Sequence, residues 1–400
     1  MIDTTLDAGF TNVLMMIREV GKTMLRPAGL EADRSGSPIP EDHPMFVAFN
    51  RTGLSFGAVG TGKHSSGDGP SRVNRAAILA AEEMAYWDQG ACMSLPGPGL
   101  GAPPIRILGT EDQKQRFLVD PFADKSKPAW GAYATTEAAA GSDVARIRTT
   151  ARKEGDHYIL DGDKMFITNG ARASWVVVFA TVDPEAGRAG QRAFVVEKGT
   201  PGFTLGRIEK KMGLTASETA TLFFENCRVH EDNILGSKNG KGSDKAGFKA
   251  AMSTFDITRP MVAAMAVGIG RCAWERAAEI ARDAFGDKPS NPLEQKMLER
   301  LAFARRRLDA ARMLCWRAAW KMDHRENNTV EASMAKVYAP PAALLTTQLA
   351  MDVCGLAGVR NDLLVEKCFR DVKVFDIFEG TGEVQRIVLA RRLFGYPRTH

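Results

Sequence analysis

Six cysteines are spread through 400 residues, and none stands in a Cys-x-x-Cys spacing. Cys92, Cys227, Cys272, Cys315, Cys354 and Cys368 lie far apart, and the few histidines add no metal-ligand pattern. A zinc module or disulfide scaffold is thereby excluded; no metal is expected, and the thiols read as buried and free in a reducing compartment. A large excess of one charge is also missing, since 53 Lys and Arg stand against 48 Asp and Glu. A net charge of +5 gives no footing for a nucleic-acid partner, although it suits an anionic cofactor or substrate. Met1 to Gly21 mixes Asp3, Asp7, Arg18 and Glu19 into its apolar residues, unlike a signal peptide. Pro260 to Ile269, read as the most apolar stretch, is too short to span a bilayer before Arg271 interrupts it. A cytoplasmic protein without a membrane span is the expectation.

What is present divides into three textures, in keeping with a length that suits two or three domains. Residues 1–130 read as helices broken by loops: Phe10–Leu25, Ala76–Met84 and Glu111–Phe117 are helical in pattern, whereas Ser55–Pro70 is rich in glycine and serine. Residues 131–237 turn to short strands, His157–Leu160, Met165–Thr168, Trp175–Val182, Ala193–Glu197 and Thr221–Phe224, rich in Val, Ile, Phe and Thr. Residues 238–400 return to helix after a Gly/Lys/Ser linker at Ser237–Lys245. There Met297, Leu301, Ala304, Leu308, Ala311, Cys315, Ala318 and Met322 form one apolar stripe, and Pro260–Ala281 is apolar almost all round. The fold class is mainly α with a central β domain: a helical N-terminal domain, a middle antiparallel barrel or sandwich, and a C-terminal four-helix bundle.

Gly57–Lys63 imitates the start of a phosphate-binding P-loop, but His64 offers no hydroxyl to magnesium and Ser65–Pro70 cannot open a helix. No complete GxGxxG joins a strand to a helix, so a Rossmann unit is unsupported. Four other segments carry chemistry. Tyr133–Asp143 gathers the hydroxyls of Thr135, Thr136 and Ser142 around Gly141, where the backbone can approach an anion. In Lys164–Gly170, Phe166 and Thr168 share a strand face, suiting either a planar heterocycle or an ordinary core phenylalanine. In Phe255–Pro260, Asp256 and Arg259 stand three apart, able to pair or to face a polar ligand. In Phe375–Thr381, Glu379 follows apolar Ile377 and Phe378, ahead of Thr381, a natural N-cap. A poorly solvated carboxylate there would have a base's raised pKa; a mere partner to the helix dipole would look similar.

In this order the segments resemble the acyl-CoA dehydrogenase family, as do Gly101–Ile105, Gly109–Lys114, Lys211–Gly213, Val365–Lys367 and Arg370–Asp371. The resemblance runs from about Ala76 to Gly395. It implies FAD between the β domain and the bundle, with Tyr133, Thr135 and Thr136 bordering the ring and Gly141 and Ser142 at the pyrophosphate. Phe166 takes the place of a ring-packing aromatic, usually tryptophan, and Thr168 a hydrogen bond near the reactive nitrogen. Thr381 and Glu383 also touch the cofactor, while Arg282, Phe285 and Gln295 hold the adenine half of a neighbouring subunit's flavin. Ser142, Asp256, Arg259 and Gly380 fall on the substrate side. Glu379 is implied as the base that takes the α-proton of an acyl-CoA while a β-hydride leaves to the flavin, giving the trans-2-enoyl thioester. Some relatives carry the base near Thr258 instead, where threonine cannot serve. An electron-transfer flavoprotein is the implied acceptor, and a homodimer or homotetramer the implied assembly.

The chain departs from the family pattern at Cys354–Gly358, where Gln-x-x-Gly-Gly is usual, in an insertion between Phe285 and Gln295, and in the longer linker. These departures bear on the cross-subunit half of the flavin site. They leave a flavin-poor partner subunit of a mixed complex as an alternative, beside an acyl-CoA oxidase. A flavin monooxygenase has no need of Glu379.

Overall fold

The computed structural model describes residues 8–52, 72–236, 246–286, 291–361 and 364–396, without the side chains at 8–9 and 246–256. The P-loop imitation at Gly57–Lys63, the linker Ser237–Lys245 and the Asp256 side chain lie outside the described residues.

Helix α1 (Ala8–Val20) passes through a π-helical turn into α2 (Arg26–Ser35), followed by α3 (Pro44–Arg51) and α4 (Val73–Ser94). Ile17, Leu25, Phe46, Phe49 and Met84 form the core between them. Two short helices, α5 (Ala102–Leu108) and α6 (Glu111–Lys114), lead to the sheet. Thr110 and Gln113 close a reciprocal capping box on α6, satisfying two backbone donors that its short length would leave bare.

The sheet holds β1 (Gly131–Ala134), β2 (Thr150–Glu154), β3 (His157–Thr168), β4 (Trp175–Thr181), β5 (Gln191–Glu197), β6 (Phe203–Ile208) and β7 (Thr219–His230). Its order is β1-β4-β2-β3-β7-β6, with β5 also on β4. The antiparallel expectation holds for β2/β3, β3/β7, β6/β7 and β4/β5. Between β1 and β4 the pairing is parallel, and β2 meets β4 in parallel at Thr150. Two strands separated by the β2–β3 excursion have enough chain to return in the same direction. The two runs expected at His157–Leu160 and Met165–Thr168 are one strand, irregular in its register with β7 between Lys164 and Ile167.

The last third is a bundle of α7 (Ala246–Phe285), α8 (Pro292–Asp323), α9 (Thr329–Cys354), α10 (Val365–Val372) and α11 (Gly382–Phe394). Helix α7 packs on α4, α8, α9 and α10, which is why Pro260–Ile269 lacks a polar face, whereas Arg276 and Glu279 pair on an exposed side further along. The α8 stripe is buried from Leu301 to Ala318, and all six cysteines are free and buried. By length and composition alone, Thr329–Val359 would suffice to cross a membrane, which the expectation drawn from Pro260–Ile269 did not include. Here Ala332, Ala335, Ala339 and Ala342 on that helix are fully buried inside the bundle.

The three regions meet at one buried cation. Helix α4 breaks at Asp88 (φ −165°, ψ 111°), whose carboxylate accepts from the Ala91 N–H at 2.9 Å and so caps the helix as it resumes. Lys367 on α10 reaches that carboxylate at 2.8 Å and Asp371 at 2.6 Å. Asp371 in turn accepts from the Leu214 N–H of the middle domain at 2.6 Å. All three charged side chains are buried, and the two carboxylates hold Lys367 firmly protonated against the desolvation that opposes it. Replacing Lys367 by Met would strand two buried carboxylates and should cost about 3–5 kcal/mol. Urea unfolding checks this; a midpoint unchanged from wild type would show that the three regions do not depend on the ion pair.

Candidate active site

Glu379 lies in the turn between the 3-10 segment Lys373–Asp376 and α11, with φ +59°, and Gly380 follows at φ +89°. A left-handed conformation suits glycine but costs a residue with a Cβ on the order of 1–3 kcal/mol. The strain aims the glutamate back into the bundle. Phe375 beneath it is fully buried and meets Phe378 edge-on at 4.9 Å between centroids, giving the turn an apolar floor. Thr381 caps α11 by accepting from the Val384 N–H at 3.3 Å, so the turn ends where the helix begins.

Thr258 on α7 donates its hydroxyl to Glu379 Oε2 at 2.6 Å. Desolvation pushes the Glu379 carboxyl above the ordinary carboxylate range, and the Thr258 hydroxyl, the Lys336 ammonium and the Arg259 guanidinium only partly offset it. Glu379 is therefore more than a surface partner of the α11 dipole. The same carboxylate is felt across the domain boundary. Tyr133 on β1 is pushed up to about 12, mainly by burial, with Glu379 adding to the shift and the Thr135 hydroxyl opposing it. The sheet and the bundle thus face each other with Tyr133 on one side and Glu379 on the other.

Below that face a buried ion pair shapes the turn after β1. Lys164 and Glu137 meet at 2.6 Å, Lys164 Nζ also donates to the Thr135 carbonyl at 3.3 Å, and Glu137 accepts from Thr149. The Met165 N–H donates to the Thr136 carbonyl at 2.9 Å, fastening that turn to β3 beside Phe166. Thr135, Thr136 and Phe166, three of the positions expected at the site, are brought together in this way, and Thr168 follows at the end of β3, paired with Thr219. Phe166 is no core residue: it is 58% exposed, with φ +59°, while Ile167 behind it is buried. The local irregularity of β3 rotates its ring outward. Gly141 is exposed, with open space where a Cβ would stand, and Ser142 beside it is exposed too. An outward aromatic face, adjacent hydroxyls and an open glycine turn fit a planar group joined to an anion.

The remaining positions are more dispersed. Arg259 is buried one residue past Thr258, and Glu383 is exposed in the first turn of α11, its carboxyl held low by its own backbone N–H and the Thr381 hydroxyl. Arg282 and Gln295 are exposed, and Phe285 is half-buried. Arg282 lies near the opposite end of α7 from Thr258, roughly 36 Å away at 1.5 Å per residue. Within one chain these three do not join the Glu379 site. The Thr258 pairing, the Lys164–Glu137 pair and Lys336 were not singled out from sequence. The signal for Lys336 was a lone cation among mostly small residues on α9.

Replacing Thr258 by Val removes the hydroxyl donor and should move the Glu379 titration to still higher pH. Carboxyl infrared titration, with Glu379→Gln identifying the band, measures the shift; an unmoved band contradicts the pairing.

Models of the acyl-CoA dehydrogenase N-terminal, middle and C-terminal domains match residues 11–123, 132–227 and 245–394. The probable acyl-CoA dehydrogenase FadE25 of Mycobacterium tuberculosis is 36% identical over 381 residues, covering 94% of this chain and 93% of that protein. Butyryl-CoA dehydrogenase from Megasphaera elsdenii superposes with a TM-score of 0.86 at 34% identity, over 98% of this chain and all of that one. A chain from a structure described as the electron transferring flavoprotein of Acidaminococcus fermentans does so with a TM-score of 0.84 at 34% identity, over 98% and 99% of the two chains. The chain therefore belongs to the acyl-CoA dehydrogenase family, whose members are FAD-dependent flavoproteins.

Proposed function

We propose that this chain dehydrogenates a saturated acyl-CoA thioester at its α and β carbons, with Glu379 as the base that removes the α-proton. The observation that carries the reading is the Glu379 carboxylate itself, raised in basicity by burial, held by Thr258 and set opposite Tyr133 across the domain boundary. An α-proton of a thioester is very weakly acidic, so the base needs help at the carbonyl. The Glu379 backbone N–H is the protein's donor to that oxygen, stabilising the charge that develops as the proton leaves. The apolar floor of Phe375 and Phe378 limits water and preserves the carboxylate's basicity.

FAD, when bound, supplies the acceptor for the β-hydride. In this reading Phe166 packs on its ring, Tyr133, Thr135, Thr136 and Thr168 border the ring, and Gly141 and Ser142 receive the pyrophosphate. Thr381 and Glu383 complete the near side. Arg282, Phe285 and Gln295 serve the adenine half of a second subunit's cofactor, a role supported by their distance from Glu379 in the same chain. Exposed Leu293, Leu356, Val359 and Phe394 on the bundle agree with burial in a homo-oligomer. Asp256, Arg259, Ser142 and Gly380 are assigned to the thioester and its pantetheine. An electron-transfer flavoprotein is the proposed acceptor of the electrons.

Replacing Glu379 by Gln should leave flavin content unchanged and lower turnover roughly 10²–10⁴-fold. Steady-state assay over a panel of acyl-CoAs tests this, and full retained activity would end the base assignment. In the wild type the rate should fall as pH drops through the raised Glu379 pKa, because the protonated acid cannot accept the α-proton. A kcat profile whose acid limb lies in the ordinary carboxylate range would contradict it.

A further inference from the structure

The strained turn that carries Glu379 is gripped from behind by a buried cation. Lys336 lies in the middle of α9 with no exposed surface. Its Nζ donates to the Phe375 carbonyl at 2.5 Å and to the Gly380 carbonyl at 3.2 Å. These two carbonyls bracket Asp376, Ile377, Phe378 and Glu379. One turn earlier on α9, buried Ser333 donates to Gln385 of α11 at 3.1 Å. The same helix face therefore fixes both ends of the glutamate's turn and the helix that follows it.

We propose that Lys336 is a positioning residue for Glu379: its ammonium ties the Phe375 and Gly380 carbonyls together, holding the left-handed turn and setting the charge that the carboxylate faces. The inference rests on the reading of Glu379 as the base. A free turn would relax the glutamate out of its positive φ, since the strained conformation persists only where its surroundings impose it. Two hydrogen bonds from one charged donor to neutral carbonyls provide that restraint. The ammonium also favours the ionised form of Glu379, opposing the effect of burial. The charged groups that bear on Lys336 are Asp376, Glu379 and Glu383 from the turn and α11, and Arg259 from α7. Burial is the largest influence and brings Lys336 down to about 8, with the three carboxylates opposing it, so it remains mostly charged at neutral pH.

The test compares wild type, K336M, K336R and E379Q as purified flavoproteins, assayed with straight-chain acyl-CoAs from butyryl to palmitoyl. K336M should keep its flavin content and a KM within about threefold of wild type. Its kcat should fall on the order of 100-fold, as for a reacting group displaced by about an ångström. The acid limb of its kcat profile should move to higher pH, because losing a nearby positive charge favours the protonated carboxyl. K336R, which retains the charge, should keep the limb near its wild-type position. A readout independent of turnover is the Glu379 infrared titration, which should shift upward in K336M. Wild-type kcat in K336M, or a lower kcat with the acid limb and titration unmoved, would overturn the proposal. If K336M does not accumulate as folded protein, K336Q gives the same uncharged comparison. Full activity in E379Q would instead sink the underlying base assignment, whereas an inactive E379Q beside an unaffected K336M would sink this inference alone.

Discussion

The ammonium of Lys367, enclosed between Asp88 and Asp371, is the constraint on which the arrangement of this protein depends. It draws together a break in α4, successive turns of α10 and, through Asp371, the Leu214 backbone of the middle domain. Each partner would be costly to bury alone, and the set is tolerable only when all three regions are docked. A site built from β1 and β3 on one side and α7 and α11 on the other needs that docking. Across that boundary Glu379 adds to the upward shift that burial gives Tyr133.

A second buried charge pair repeats the device within the sheet. Lys164 and Glu137 are both buried, and their hydrogen bonds to Thr135 and Thr149 give the turn after β1 its shape. Phe166 is then turned outward at a positive φ, and Glu379 shares that backbone conformation but is turned inward on the bundle side. Each side of the candidate site thus has a strained residue backed by a buried lysine: Lys164 behind Phe166, Lys336 behind Glu379. Strain that a flexible surface loop would relax is retained because the charge behind it has nowhere else to satisfy its donors.

Much of this was legible in the residues. The helix–strand–helix order followed from hydrophobic period, and the α8 stripe from Met297 to Met322 faces inward as its spacing required. Thr381 caps α11, as its place before Gly382 suggested. Other features were hidden because they depend on partners distant in the chain. The parallel pairing of β1 with β4 is a matter of topology, which alternating side chains do not report. By pattern Phe166 suited either a planar heterocycle or a strand's buried face, and the irregularity in β3 turns it out. Thr258 and Glu379 are 121 positions apart, so their hydrogen bond has no local signature. Lys336 was readable only as an anomaly, the one Lys or Arg between Thr329 and Cys354.

The central claim is that a half-buried glutamate and a bound flavin act on the α and β carbons of one acyl thioester. Anaerobic titration of the purified flavoprotein with saturated acyl-CoAs of graded length, followed in the visible spectrum with analysis of the released thioester, tests it most directly. The account predicts bleaching of the flavin band by one class of chain length, with a stoichiometric yield of the trans-2-enoyl-CoA. A colourless protein, or a flavin that no acyl-CoA bleaches, would contradict it.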